Sequence, residues 1–403
     1  MSALKYWIWL ATLPGLQNRS KLLLLEHFSS PEAIYYAEPE EYRLVQELKS
    51  QQAALLQEKS LARAEKILED CAKKELFIVT QADAAYPARL RNIFEPPILL
   101  YGRGKMPLFD EEAAIAMVGT RKCTPYGKRA AEQLGYELAS QGALVVSGMA
   151  RGIDSAAHRG ALRAGGFAAA VLGGGVDVIY PPDNRRLYED IAASGVLLSE
   201  YPPGTEPLRH HFPARNRIIS GLCLATVVVE APEKSGALIT AATALDQGRE
   251  IFAVPGPIDA PSSRGCNQLI RDGAGLVGES WDILGEYQSR YPHKLKNREV
   301  IVPPLPEDSK AAKEPVTPAA AVPSLPVLDL KRNREGLTDD QICIVKILTT
   351  DQPLLIDEVA EITGIPMRRV LSALTVMEID GFARQEGAGC FVRTVAIREN
   401  QKR

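Results

Sequence analysis

The stretch from Ile115 to Gly256 constrains this chain more than any other feature, because it repeats one unit. An apolar strand leads into a glycine-bearing turn with a basic or amide side chain, and a helix follows. Val118-Gly119-Thr120-Arg121, Ser147-Gly148-Met149-Ala150-Arg151-Gly152 and Leu172-Gly173-Gly174-Gly175 are such turns. Pro213-Ala214-Arg215-Asn216-Arg217 and Ala231-Pro232-Glu233-Lys234-Ser235-Gly236 read as two more polar junctions of the same kind. In a parallel α/β sheet the turns after successive strands gather at one edge, where ligands bind. Glycines let backbone N–H groups approach an anion, and helix N-termini favour negative charge. That edge is therefore expected to hold several phosphates in a row.

Strands are expected at Leu76–Thr80, Ala114–Val118, Leu144–Ser147, Ala168–Leu172, Val196–Ser199, Thr226–Val229 and Ile251–Val254, with Ile98–Gly102 before them and a short Leu276-Val277 at the end. Helical segments alternate with them, the pattern of a doubly wound, mostly parallel α/β sheet. Residues 1–75 read as a helical cap, with a Leu13-Pro14-Gly15-Leu16 hairpin, a helix start at Ser30-Pro31-Glu32 and a charged helix over 39–74 that has a candidate break near Ser50. The hairpin could be a helix-hairpin-helix or a plain cap. The sheet domain is assigned to 76–286, and a Pro-rich linker to 287–335. A winged helix-turn-helix is expected over 336–398, from helices at Thr338–Leu348, Asp357–Thr363 and Met367–Asp380 and a following hairpin.

Composition excludes several classes. No run of about 18 apolar residues suggests a membrane span, and the apolar start at Met1–Leu10 reads as a core helix rather than a signal peptide. The scattered cysteines form no Cys-x-x-Cys pair, so reduced cytoplasmic thiols are expected, with no metal and no cofactor. Net charge is −3, yet between Glu206 and Glu230 there is no carboxylate, while Arg209, His210, His211, Arg215 and Arg217 fall in that window. The local distribution points to nucleic acid where the global charge does not.

Nucleotide fingerprints fail. Gly173-Gly174-Gly175 runs into Val176-Asp177-Val178, without the third glycine of a dinucleotide turn. No Ser or Thr follows Gly127-Lys128 to complete a P-loop. Asp154 and His158 share a helix face, where Asp154 is expected to cap the helix and His158 to pack or hydrogen-bond. The affirmative signal is arginine at strand ends: Arg121, Arg151, Arg215 and Arg217 recur at turns, although Arg215 or Arg217 could instead pair with Glu230 or Glu200. Tyr180-Pro181-Pro182-Asp183-Asn184-Arg185-Arg186 offers either a stacking surface for a base or a stiff loop.

These motifs, together with Phe212–Gly221, Ser235–Ala241 and Val254-Pro255-Gly256, resemble the DprA/Smf family of DNA-processing proteins from about Tyr86 to Val277. The resemblance implies an extended Rossmann core and a non-enzymatic protein of natural transformation. Such a protein binds single-stranded DNA, shields it and helps load the RecA recombinase. It also implies a homodimer through Gly265–Val277, for which Leu269, Ile270 and Leu276 are the candidates. Candidate nucleic-acid contacts are Arg121, Gly148, Arg151, Gly174, Tyr180, Asn184, Arg185, Arg186, Arg215, Asn216, Arg217 and Lys234. Some relatives carry Lys after the Tyr-Pro, where Pro182 stands here, and Arg185 or Arg186 could substitute.

Nucleotide phosphoribohydrolases of the lysine-decarboxylase-like family share the sheet and are the alternative. Where they carry a Pro-Gly-Gly-x-Gly-Thr run and a catalytic Glu, this chain has Ala231–Gly236 and Thr240. The winged helix has five positive and nine negative residues over 336–393, which disfavours strong duplex binding and suggests a protein contact or tether.

Overall fold

A computed structural model describes residues 3–296, 327–329, 337–349, 354–385 and 390–398. The chain divides into two compact units, Met1–Pro306 and Glu307–Arg403. Most of the expected linker, and the tip of the winged-helix hairpin, lie outside the described residues.

The first unit opens with helices α1 (Leu4–Thr12), α2 (Asn18–Phe28), α3 (Pro31–Tyr36), α4 (Pro39–Tyr42), α5 (Ser50–Leu55) and α6 (Ala62–Lys73). Ser30 caps α3, its hydroxyl accepting from the Ala33 amide at 3.1 Å, with Pro31 at the first helical position. The charged helix expected over 39–74, with its candidate break near Ser50, is three helices, one of which does start at Ser50. Tyr42, Val45, Leu56 and Ile67, from these helices and the turns between them, pack inward with Ile8, Leu10 and Leu24, and one straight helix could not place them all there.

The sheet strands are β1 (Phe77–Thr80), β2 (Leu99–Gly104), β3 (Ala114–Val118), β4 (Leu144–Ser147), β5 (Ala168–Val171), β6 (Val196–Ser199), β7 (Ala225–Val228), β8 (Glu250–Ala253) and β9 (Gly275–Leu276). Their spatial order is β1-β2-β6-β5-β4-β3-β7-β8-β9. The β1/β2 and β2/β6 pairs are antiparallel and the rest parallel. Strands β3 to β7 are buried along their whole length, which is why they read as continuous apolar runs rather than alternating ones.

Two helical layers cover the sheet. On one face, α8 (Pro125–Ser140), α9 (Ile153–Arg163) and α10 (Arg185–Ser194) bury Leu134, Leu138, Ala157 and Ile191 against Ile115, Val145 and Leu197. On the other, α11 (His211–Gly221), α12 (Gly236–Asp246) and α13 (Arg264–Arg271) pack Ile218, Ala241 and Cys266 against Ala116, Val146 and Val228. The short helices α7 (Ala88–Arg91) and α14 (Trp281–Leu284) complete this unit. Past residue 286, inside the stretch assigned to the linker, Tyr287, Tyr291 and Leu295 remain buried in the sheet's core.

Chain order runs outward from β3 in both directions, through β4, β5 and β6 on one side and β7, β8 and β9 on the other. The turns after β3 and β7 therefore part at a topological switch point, the crevice where such sheets take ligands. Thr120 donates to the Glu230 carbonyl at 2.8 Å and holds the two turns together.

The second unit pairs β10 (Val327–Asp329) with β14 (Ala396–Arg398), and β13 (Cys390–Arg393) with both β11 (Leu354–Leu355) and β12 (Ala383–Gln385). Its helices α15 (Asp339–Ile347), α16 (Ile356–Thr363) and α17 (Met367–Ile379) bury Ile344, Val359, Val370 and Leu374. A Thr338–Gln341 capping box starts α15, and Gly364 in the left-handed region ends α16.

Candidate nucleic-acid interface

At the C-terminal edge of the parallel strands a groove of about 750 Å³ runs between the turns after β3 and β7 and the start of α11. It continues into a pocket of about 220 Å³ between the turns after β4 and β5. Arg121, Ala150, Tyr180, Pro207 and Phe212 line both, so the two form one trough along the rim.

Phe212 stands at its centre. The Arg121 guanidinium lies over the Phe212 ring, 4.9 Å from its centroid, and the exposed Tyr180 ring is tilted against it at 5.6 Å between centroids. Two rings and a stacked guanidinium offer flat apolar faces beside positive charge. Phe212 is not evident from the sequence as a site residue, because one aromatic in a polar run carries no periodic signal.

The exposed cations lining the trough are Arg121, Lys122, Arg151, Arg209 and Lys234. Arg151 is held by Asp183 at 2.8 Å. Among the described residues no carboxylate pairs with Arg121, Lys122, Arg209 or Lys234. The carboxylate that does line the trough is Asp154, which is buried.

Beneath the rim lies a buried polar cluster. Asp154 does not cap α9 as expected; it accepts from the Ala150 amide at 3.3 Å and so pins the turn before the helix. Burial pushes its carboxyl up, against the pull of Arg215. Arg215 donates to the Val171 carbonyl and its guanidinium is pushed down to about 10 by desolvation, which Asp154 opposes. Gly148 is required here, since a Cβ at that position would meet the Arg215 guanidinium. His158 is wholly buried with no hydrogen-bond partner on either ring nitrogen, and desolvation lowers its pKa to about 3.

The remaining sequence-derived candidates divide. Gly174 lines the pocket, packed closely against the Thr205–Pro207 backbone, and Asn216 lines the groove. Asn184 is buried and donates to the Met149 carbonyl and the Ser155 hydroxyl, each at 2.8 Å, tying the Tyr180 loop to the β4 turn. Arg185 and Arg186 are exposed in the first turn of α10 but line neither part of the trough.

Arg215 and Arg217 are not on a turn between strand and helix, as expected from the polar run around them. Both sit inside α11, because Pro213 falls in its first turn, where proline is tolerated. Arg217 pairs with Glu200 at 2.6 Å and donates to the Glu95 carbonyl at 3.0 Å, away from the trough. Of the dimer candidates, Leu269 and Ile270 are half-buried against the sheet, while Leu276 on edge strand β9 is 53% exposed.

In the winged helix, Arg369 is clamped by Asp340 through bonds of 2.7 and 2.9 Å, leaving Arg368 as the unpaired arginine of α17 among the described residues. Met367, Leu371 and Val376 are exposed on the same helix, a surface with more apolar than cationic character.

Fold and rim together define an extended Rossmann-type α/β protein with a basic edge, a helical cap and a winged-helix module. Residues 77–288 match the family model for DNA recombination-mediator protein A, residues 329–389 match that for the DprA winged helix domain, and the chain belongs to this family. It is 45% identical to the DNA processing protein DprA of Streptococcus pneumoniae, over 51% of this chain and 72% of that one. It is 37% identical to the protein Smf of Synechocystis over 79% of this chain and 80% of the other. The X-ray structure of DNA processing protein A (DprA) from Streptococcus pneumoniae superposes with a TM-score of 0.63 at 36% identity, covering 70% of this chain and 97% of that chain. Among the described residues, no helix is long and apolar enough to cross a membrane.

Proposed function

We propose that the rim trough holds single-stranded DNA by its phosphates. The observation that carries this is the set of four exposed cations, Arg121, Lys122, Arg209 and Lys234, without a carboxylate partner among the described residues. Phosphate neutralisation by such groups supplies sequence-independent affinity. Phe212 and Tyr180 offer ring faces to bases, which only an unpaired strand can present. Arg215 and Gly148 line the trough from its floor, and Asn184 acts one layer below, holding the turns.

The chain works without catalysis, in the cytoplasm, shielding incoming strands during natural transformation and helping to load RecA. It does so as a homodimer through the β9 edge at Leu276. Membership of a family of recombination mediators supports this part of the reading. Residues 1–75, 76–286 and 336–398 act as cap, DNA-binding core and protein-contact module. Against the phosphoribohydrolase alternative stands Thr240, buried where that family has its catalytic carboxylate.

Fluorescence anisotropy of the full chain with one sequence as single strand and as duplex tests the reading, beside an assay for base released from nucleoside monophosphates. Tighter single-strand binding and no released base are expected. Equal affinity for both forms, or turnover, would overturn it.

A further inference from the structure

A second cleft, of about 590 Å³, opens between the helical cap and the sheet. Its size is that of small-ligand sites, roughly 300–1,000 Å³. The Leu13–Leu16 turn between α1 and α2 forms one wall, and the Glu200–Thr205 segment after β6 forms the other. These walls are fixed relative to each other. Ile98, Leu99, Tyr101 and Val176 belong to the cap's own apolar core, and Asn18 donates to the Glu95 and Pro96 carbonyls at 3.1 and 2.9 Å.

The cleft's charge is unbalanced. Lys21, Arg63 and His210 face it, and the one carboxylate of its lining, Glu200, is paired with Arg217 at 2.6 Å. Arg63 is exposed and has no carboxylate partner among the described residues. Lys21 is half-buried and donates to the Ala11 carbonyl at 2.5 Å, which leaves two of its three N–H groups available. Burial pushes the Lys21 ammonium down to about 8, against the pull of Glu200, so an anion entering the cleft would stabilise its charged form.

Position connects this cleft to the rim. Pro207, Arg209 and Phe212 face the trough, while Pro202, Thr205 and His210 of the same segment face the cleft. We propose that the cap cleft takes a phosphate of the DNA strand after it leaves the trough, with the Tyr201–His210 loop as the ridge over which the strand passes. This rests on the rim holding single-stranded DNA. A free nucleotide carries the same phosphate chemistry, but the shared ridge assigns the cleft to the continuing strand.

The test uses the full chain with labelled oligothymidylates of about 6 nucleotides, roughly the span of the trough, and about 24. Arg63→Gln changes an exposed side chain and leaves the fold intact; Lys21→Met, added to it, keeps the apolar stem. Both variants should bind the short strand within about twofold of the parent. The double variant should bind the long strand about tenfold more weakly at low salt. Its log–log salt slope should shrink by about 1.4, and that of Arg63→Gln by about 0.7. Unchanged long-strand affinity and slope in both variants would overturn the proposal. So would loss of thymidine monophosphate binding with long-strand binding intact, which would make the site one for free nucleotides. Failure of the rim reading shows differently, as short-strand affinity indifferent to Arg121→Ala.

Discussion

Phe212 separates the two ways a single side chain can hold a strand at this rim. Its ring carries the Arg121 guanidinium at 4.9 Å and lies beside Tyr180 at 5.6 Å, so it contributes a face and not a charge. Base stacking on such a face is worth about 1–3 kcal/mol per base. Phe212→Leu keeps the half-buried volume and removes the ring. It should weaken single-strand binding by roughly tenfold, the equivalent of about 1.4 kcal/mol, while leaving the salt slope unchanged. Anisotropy titrations at several salt concentrations check this, and a fall in the slope would mean that the ring acts mainly by positioning cations. The residue scale is also where reading from sequence falls short. Arg121, Lys234, Tyr180 and Gly174 line the trough. Asn184 is instead held by the Met149 carbonyl, a partner remote in sequence, while the Arg217–Glu200 pair is one of the two readings the sequence leaves open for that arginine.

At the scale of elements, α9 carries a polar face buried under the rim. His158 is neutral there, its pKa lowered to about 3 by burial with Arg215 and Arg159 adding to the effect. In the unfolded chain the same imidazole titrates near about 6.5. Between these values the unfolded state binds a proton that the folded state does not, so stability falls as pH drops. The slope is about 1.4 kcal/mol per pH unit from roughly pH 6.5 down toward about pH 3. Asp154, with its carboxyl raised by burial, works in the opposite sense, so the comparison with a variant isolates the histidine. His158→Leu should lose this share of the acid destabilisation in denaturant melts at pH 7 and pH 5, and an identical pH dependence in both proteins would contradict the assignment.

The elements also show why some of the fold was legible. Strands β3 to β7 are buried end to end, and continuous apolar runs of strand length between glycine turns suit a sheet covered on both faces. The doubly wound sheet and the winged helix could be read from such patterns. Helix α11 could not, since Pro213 looks like a turn signal and only the surrounding packing shows it to be a first-turn proline. The cap was legible in part: the break near Ser50 is there, but a charged run fits two helices or three until the apolar partners of Tyr42 and Leu56 are known.

At the scale of the whole molecule, binding is assigned to the first unit, Met1–Pro306. The winged helix is net acidic, one of its α17 arginines is clamped by Asp340, and exposed Met367 and Leu371 suit a protein contact better than a phosphate backbone. A chain ending at Pro306 should therefore keep single-strand affinity within about twofold of the full protein. A loss of tenfold or more on truncation would place part of the DNA site on the winged helix.

Neutralisation of phosphates by the four rim cations is tested most directly by the salt dependence of single-strand binding. For a strand of about 6 nucleotides confined to the trough, four contacts predict a slope of log affinity against log salt of about −2.8, and removing two of them in Arg121→Ala/Lys234→Ala should bring it to about −1.4 with affinity down at least tenfold at low salt. A double variant with the parent's slope and affinity would contradict the account.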